Sequence, residues 1–172
     1  MTATRLPIII PGIEVYLLPL DGTGRDAERR AVDTLAATVL GSAILHRPDG
    51  SPYVAADPSR AVSVSHGASV ALLAVGSATP IGIDIESSLR HKQLARVARK
   101  FVAEADELSA LSLLHLWTAK EAVYKAMGMP GLGLTAITVG ASGHATAAGR
   151  RLKVAWQPCG TDALIALAAV QP

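Results

Sequence analysis

The spacing of apolar residues along the chain changes repeatedly between the period of a β-strand and the period of an α-helix. In the first half, residues 25–40 repeat apolar side chains at helical spacing and stop at Gly41, so this segment predicts a helix. Short apolar segments bounded by Pro, Gly or Ser predict strands at residues 12–18, 43–46, 61–65 and 69–75. The Pro-Asp-Gly-Ser-Pro run at 48–52 predicts a turn.

The second half begins with strict alternation over residues 81–86. This pattern predicts a strand with three isoleucines on one face and Gly82, Asp84 and Glu86 on the other. Two helices are predicted to follow, at residues 89–100 and 104–127, and the glycines and proline after 127 end the second one. Further strands are predicted at residues 134–139, 152–156 and 163–170.

Both halves therefore show a strand, a helical region and then further strands. This order predicts a duplicated α+β chain with an N-terminal half at 1–78 and a C-terminal half at 79–172. The small residues at 76–80 are too few for a flexible linker, so we expect the halves to pack against each other.

Composition limits the classes of partner. The chain has 172 residues, of which 50% are hydrophobic and 17% charged, and this excludes an intrinsically disordered chain. A net charge of +2 and 3% aromatic residues favour no nucleic-acid partner. Cys159, the single cysteine, cannot form an internal disulfide, so a reducing compartment, the cytoplasm, is expected. The uncharged stretches 61–83 and 126–149 are interrupted by Ser, Gly and Pro, which predicts no membrane segment.

Acidic side chains supply the first candidate chemistry. Asp84 and Glu86 share one face of a predicted strand, a pattern that suits a hard cation but also describes an ordinary solvated face. Glu121 and Lys125 lie four residues apart in the predicted helix, where they continue an apolar stripe. Charged groups on a buried stripe need a partner, and a metal ion for Glu121 and a phosphate for Lys125 would provide one.

Other motifs are less specific. Ser65-His66-Gly67 ends a predicted strand, but the nucleophile-elbow pattern of serine hydrolases is missing, and so are the Walker A and dinucleotide-binding glycine patterns. A basic segment at 90–100 follows the carboxylate strand. It is either a solvated helix face or a surface that docks an acidic partner.

Four segments, taken in order, resemble motifs of the 4′-phosphopantetheinyl transferase superfamily, in its pseudodimeric class typified by the activator of surfactin synthetase. Residues 50–53 (Gly-Ser-Pro-Tyr) are similar to its Gly-Lys-Pro segment, and residues 64–66 (Val-Ser-His) to its Ser-His strand end. Residues 81–86 resemble its Gly-x-Asp-x-Glu motif, and residues 117–125 its Trp-Thr-x-Lys-Glu-Ala-x-x-Lys signature. Ser51 stands where the family usually has a basic residue, and Arg47 and the Arg29-Arg30 pair are candidates for that charge.

The resemblance implies a fold and a reaction. The implied fold is α+β, with two pseudo-equivalent halves, each a long helix packed on a small and mainly antiparallel sheet, and an active site between them. The implied enzyme uses Mg²⁺ to transfer the 4′-phosphopantetheine arm of coenzyme A to a serine of an apo acyl or peptidyl carrier protein. Adenosine 3′,5′-bisphosphate is released, and the duplicated chain is expected to act as a monomer.

The resemblance also assigns roles to residues of this chain. Asp84, Glu86 and Glu121 would bind the metal, and Glu121 would also act as the catalytic base, directly or through a water molecule. Lys125 is the other implied catalytic residue, while Trp117 is expected to pack. The implied coenzyme contacts are Ser65, His66, Lys120, Lys125 and Arg47. The implied carrier-docking residues are Arg90, Lys92 and Arg96.

Two alternatives remain open on the sequence. One is a relative of the same fold that binds coenzyme A or a carrier protein without catalysis, which the short N-terminal half and Ser51 would favour. The other is an unrelated Mg²⁺-dependent phosphohydrolase, which would cleave pyrophosphates without an acceptor protein.

Overall fold

The computed structural model describes residues 2–7, 10–77 and 79–171, and their secondary structure is a mixture of antiparallel strands and a few helices. The elements of the N-terminal half are β1 (Thr4–Arg5), β2 (Glu14–Pro19), α1 (Arg25–Leu35), β3 (Ile44–His46), β4 (Pro52–Val54), β5 (Ala61–Gly67) and β6 (Val70–Gly76). Its strands form a four-stranded sheet in the order β1-β2-β6-β5 and the hairpin β3-β4. A π-helical turn, Ala36–Leu40, extends helix α1 to the left-handed Gly41.

The elements of the C-terminal half are β7 (Ile81–Ser87), α2 (His91–Val97), α3 (Leu113–Met127), β8 (Ile137–Gly140), β9 (His144–Ala147), β10 (Arg150–Cys159) and β11 (Ala163–Val170). Its strands form a five-stranded antiparallel sheet in the order β7-β11-β10-β9-β8. Short 3₁₀ turns, Ser88–Arg90 and Ala98–Lys100, flank α2. Within the described residues, no helix combines the length and the apolar character needed to cross a bilayer.

The two sheets share a core, and each carries a helix on its outer face. Val15 of the first sheet and Ile83 of the second belong to the apolar cluster between the sheets. Alternate residues of the strands face outward, away from this cluster. On β6, Leu73 packs with Leu35 of α1, and on β11, Ala168 packs with residues of α3. This order of helix, sheet, sheet and helix confirms the predicted α+β fold.

The edge strands of the two sheets, β5 and β7, lie beside each other. The Ser63 hydroxyl on β5 accepts a hydrogen bond of 3.1 Å from the Ile83 backbone N–H on β7. A Cβ at Gly67 would lie 3.0 Å from the Ile85 carbonyl oxygen, so glycine permits this close approach. In the turn that follows β5, Ala68 and Ser69 adopt the left-handed conformation, with φ of 47° and 62°, whereas Gly67 does not have a positive φ. We call this strand pair the seam.

The predicted helix at 104–127 is too long by nine residues at its start. Helix α3 begins at Leu113 because the Ser112 hydroxyl caps it, accepting from the His115 N–H at 3.3 Å. Before that point, the Asp106 carboxylate accepts backbone N–H groups of Ala103 at 2.6 Å and Val139 at 3.0 Å. Such hydrogen bonds between a side chain and the backbone compete with the backbone hydrogen bonds of a helix, and they hold the residues before Leu113 in turns.

Other boundaries also differ from the sequence-based prediction. Residues 134–136 form a 3₁₀ turn, so β8 starts three residues later than expected. Strands β1, β4 and β9 have only two to four residues, too few for a periodic pattern to indicate a strand, which explains why the sequence did not predict them. The strand predicted at 163–170 is confirmed with the same limits.

A buried ion pair fixes the segment before α3 to the rest of this half. The Lys120 side chain is fully buried, and its ammonium lies 2.5 Å from the equally buried Asp106 carboxylate. It also donates to the backbone carbonyls of Phe101 and Leu134 at 2.6 Å and 3.3 Å. Burial lowers the pKa of Lys120, while Asp106 acts in the opposite direction. The network joins α3 to the residues on both sides of it.

Replacing Lys120 with methionine should destabilise the fold severely, because it leaves the buried Asp106 charge without its cation. The expected loss in the free energy of unfolding is about 3–5 kcal/mol, measured by urea denaturation. Lys100→Met, at an exposed position, is the matched control and should stay within about 0.5 kcal/mol of wild type. Similar losses in the two variants would show that the buried pair has no special role.

Candidate active site

Helix α3 covers the face of β7 that carries Asp84 and Glu86. The sequence pattern also allowed an ordinary solvated strand face here, and the structure does not have one. Gly82 makes this contact possible. A Cβ there would overlap the Ala122 carbonyl oxygen and lie 2.6 Å from the Ala126 backbone nitrogen. Because α3 lies directly on β7 at this point, the charged residues of both elements meet.

Asp84 occupies the seam and is only 7% exposed. Its Oδ1 atom accepts hydrogen bonds from the Lys125 ammonium at 2.8 Å and from the Ser65 hydroxyl at 3.0 Å. Its Oδ2 atom is buried and has no hydrogen-bond partner among residues 2–7, 10–77 and 79–171. An unpaired buried carboxylate oxygen is costly, and a bound ion is one of the few features that can satisfy it.

Glu86 lies further along the same face, and two side chains hold it. The Arg90 guanidinium is 2.5 Å from Glu86 Oε1, and the Trp117 indole N–H donates to the same oxygen at 2.9 Å. Trp117 also packs edge-on against Phe101, with ring centroids 5.1 Å apart. The packing role expected for Trp117 is present, and a hydrogen bond to a candidate metal ligand is added to it.

Glu121 extends from α3 toward the same charges. Its pKa is raised, first by burial and then by the neighbouring Asp84 and Glu86 carboxylates, while Lys125 and Arg90 lower it. Three carboxylates therefore lie near two cationic side chains. If all are ionised, one negative charge is left without a counter-charge, and a divalent cation could supply it.

The donor set suits Mg²⁺, although the side chains do not yet converge. Carboxylate oxygens are the ligands that this hard cation prefers. The buried Asp84 Oδ2 atom, which has no hydrogen-bond partner within the described residues, is available to bind the cation. No group of three His, Cys, Asp or Glu side chains in the described part of the chain already has metal-binding geometry. Glu86 is drawn toward Arg90 and Trp117, so it would have to turn to join Asp84 and Glu121.

A cleft of about 220 Å³ opens beside these charges. Strand β5 and the 46–52 segment line it from the N-terminal half, and the C-terminal end of α3 lines it from the other. Lys125 forms part of its wall with a side chain that is 30% exposed. Tyr124 and Met129 add exposed apolar surface. The cleft thus combines the Lys125 ammonium with apolar surface, and His46 and Asp49 also line it.

The predicted coenzyme contacts separate into two groups. Arg47 is near the cleft, but its guanidinium donates to the carbonyls of Pro52 and Pro58 and stacks on Tyr53 at 4.9 Å. His66 has a side chain that is 47% exposed, and its Nδ1 lies 3.4 Å from Glu28 Oε1. Both remain accessible enough to contact a ligand.

Two further predicted contacts, Lys120 and Ser65, need correction. Lys120 cannot reach a coenzyme phosphate, because its side chain is fully buried. Its ammonium donates hydrogen bonds to the Asp106 carboxylate and to the carbonyls of Phe101 and Leu134. Ser65 is 5% exposed and donates its hydroxyl to Asp84, so it faces the seam and does not face the cleft. Motif matching could not predict this, because the role of each side chain depends on the neighbours that it faces in the folded chain.

The predicted docking residues also differ among themselves. Lys92 and Arg96 are exposed on α2, and Leu89 beside them is 78% exposed. Arg90 instead turns inward to Glu86 and Gln93. It is therefore a member of the charge cluster rather than of the free basic surface.

The comparison with known families falls on this half of the chain. Residues 80–159 match the family model of the 4′-phosphopantetheinyl transferase superfamily. That match spans just under half of the chain and includes β7, α3 and most of the second sheet. It supports phosphopantetheinyl transfer as the general class of chemistry. It does not extend to the N-terminal half, so it leaves the pseudodimeric class untested. No curated protein matches the chain.

Proposed function

We propose that the chain is a Mg²⁺-dependent phosphopantetheinyl transferase that modifies an apo acyl or peptidyl carrier protein. The N-terminal half (1–78) and the C-terminal half (79–172) would form one site at the seam. The observation that carries the proposal is the meeting of the β7 carboxylates with Glu121 and Lys125 beside the cleft, within the region that resembles the family.

The reaction requires few chemical groups from the protein. The carrier serine oxygen attacks the β-phosphorus of coenzyme A, forms a new P–O bond and breaks the pyrophosphate P–O bond. Adenosine 3′,5′-bisphosphate leaves with that oxygen, and the serine proton goes to a base. Such phosphoryl transfers depend mainly on positioning and on neutralisation of charge.

Glu121 fits the role of the base. Its raised pKa makes its carboxylate a stronger proton acceptor than an ordinary glutamate, and it lies on α3 at the same site as the β7 carboxylates. We assign to it the proton of the carrier serine, taken directly or through a water molecule. Lys125, in the wall of the cleft, would neutralise phosphate charge on the coenzyme.

Asp84, Glu86 and Glu121 are the residues that would hold Mg²⁺. When bound, this cation supplies charge stabilisation at the bridging and leaving oxygens of the pyrophosphate. The apolar surface of Tyr124 and Met129 would contact the pantetheine arm, and His66 and Arg47 are the remaining candidates for the coenzyme phosphates.

Intact mass spectrometry of an apo carrier protein tests the proposal. After incubation with coenzyme A, Mg²⁺ and the enzyme, the carrier should gain the mass of one phosphopantetheine arm, and EDTA should prevent the gain. An unmodified carrier with intact coenzyme A would favour a protein that only binds its ligands. Cleaved coenzyme A with an unmodified carrier would identify a phosphohydrolase.

The exposed basic residues of α2 are proposed to dock the carrier. Arg96→Glu should raise the apparent KM for an acidic carrier roughly 3- to 10-fold, because an attraction across the interface becomes a repulsion. The KM for coenzyme A should stay unchanged, as measured by initial rates with each substrate varied. Arg150→Glu, at an exposed position on β10, is the charge-matched control. Equal effects of Arg96→Glu on both KM values would contradict docking at α2.

A further inference from the structure

The seam contains two buried serines on β5 that make different hydrogen bonds. Ser63 and Ser65 are 3% and 5% exposed, and their alternation along the strand places both on the side toward β7. Ser63 accepts the backbone N–H of Ile83. Ser65 donates to a carboxylate, Asp84. The N-terminal half thus touches the candidate metal ligand through one hydroxyl.

The two donors on Asp84 leave its oxygens unequal. Ser65 and Lys125 both bond Oδ1, whereas the buried Oδ2 has no partner within the described residues. A carboxylate held by one oxygen from two sides cannot rotate freely, so its second oxygen is presented in one direction. Partners that orient a metal ligand in this way strongly affect metal affinity.

We propose that Ser65 is a positioning residue for the cation. Its hydroxyl fixes the Asp84 carboxylate from the opposite half of the molecule, so that Oδ2 is the oxygen offered to the metal. This inference rests on the proposed function, because it assumes that Asp84 binds Mg²⁺. It replaces the contact with coenzyme phosphates that the motif resemblance implied for Ser65.

Lys125 complements this arrangement from the other side. Its ammonium donates to the Ile83 carbonyl at 2.9 Å and to the Val64 carbonyl at 3.4 Å, in addition to Asp84. It therefore bonds backbone groups of both seam strands. Because the Lys125 ammonium bonds Asp84 together with both strands, it is the second group that fixes the position of Oδ1.

Mn²⁺ alone, followed by electron paramagnetic resonance of the free ion, measures this dependence without any catalysis. Ser65→Ala should weaken Mn²⁺ binding roughly 10- to 100-fold relative to wild type. Ser63→Ala removes an equally buried seam hydroxyl that does not touch Asp84, so it is the matched control and should keep the wild-type affinity. Ser65→Cys fills the same space with a poor hydrogen-bond donor, and it should show the same loss of Mn²⁺ affinity. It replaces Ser65→Ala in the experiment if the alanine variant does not fold.

Each outcome has a distinct meaning. Wild-type affinity in both Ser65 variants, or equal losses in the Ser63 and Ser65 variants, would overturn the positioning role and leave the proposed transferase intact. If the wild-type chain binds no Mn²⁺ at Asp84, as checked with Asp84→Asn, both the positioning role and the metal site of the proposed function fail. Selective loss in the Ser65 variants supports the assignment.

Discussion

Glu121→Gln is expected to reduce phosphopantetheinyl transfer by at least 10²- to 10⁴-fold, the range for loss of a catalytic base. The substitution nearly preserves shape but removes both the proton acceptor and one charge of the proposed metal site. The rate is measured as holo-carrier formed per minute by intact mass at saturating coenzyme A and Mg²⁺. Glu104→Gln, at an exposed position before α3, should retain the wild-type rate.

The same substitution should not destabilise the metal-free protein. The raised pKa of Glu121 means that folding favours its protonated form, and that stabilising effect is lost as the pH rises through the raised pKa. Above the raised pKa the ionised Glu121 opposes folding, so Glu121→Gln should melt at or above the wild-type Tm without added cation. The difference should vanish below the ordinary carboxyl pKa. A lower Tm above the raised pKa would contradict this electrostatic description.

Gly82→Ala is expected to disrupt both the fold and the proposed site. Its new Cβ would overlap backbone atoms of α3 at Ala122 and Ala126, which cannot move aside as a flexible side chain can. We expect a loss of about 3 kcal/mol or more in the free energy of unfolding, measured by urea denaturation. Any folded fraction should have no transfer activity, because α3 must move away from β7 and take Glu121 and Lys125 with it.

Gly133→Ala is the control for that experiment. Gly133 is exposed, has φ −73°, and the nearest atom to a Cβ there would be Thr135 Oγ1 at 3.8 Å. This variant should remain within about 0.5 kcal/mol of wild type. A Gly82→Ala protein as stable and active as Gly133→Ala would show that close packing of α3 on β7 does not hold the site together.

Local patterns predicted those parts of the fold that depend on periodicity. The alternation at 81–86 identified β7 and its face of isoleucines, and the helical repeat identified α1. The residues before Leu113 were wrongly predicted as helix because Asp106, whose partners lie as far away as Val139, holds them as turns. Contacts between residues distant in the sequence leave no periodic signal that a single chain can show.

The sequence motifs selected the acidic residues of the proposed site but did not show which residues support them. Asp84, Glu86 and Glu121 were chosen from motifs, and the raised pKa of Glu121 is consistent with their proximity. The roles of Lys120 and Ser65 depend on which neighbour each side chain faces, and only the three-dimensional packing determines that. A buried lysine three residues after Trp117 looks the same in sequence as one that faces a cleft.

The position of a bound cation tests the central claim most directly. A crystal structure of the chain with coenzyme A and Mn²⁺, with the ion located by its anomalous scattering, would give that position. We predict a peak at bonding distance from Asp84 Oδ2, near Glu86 and Glu121, with the coenzyme pyrophosphate in the cleft beside Lys125. A cation away from Asp84, or a pyrophosphate bound outside the cleft between the halves, would contradict the proposed site.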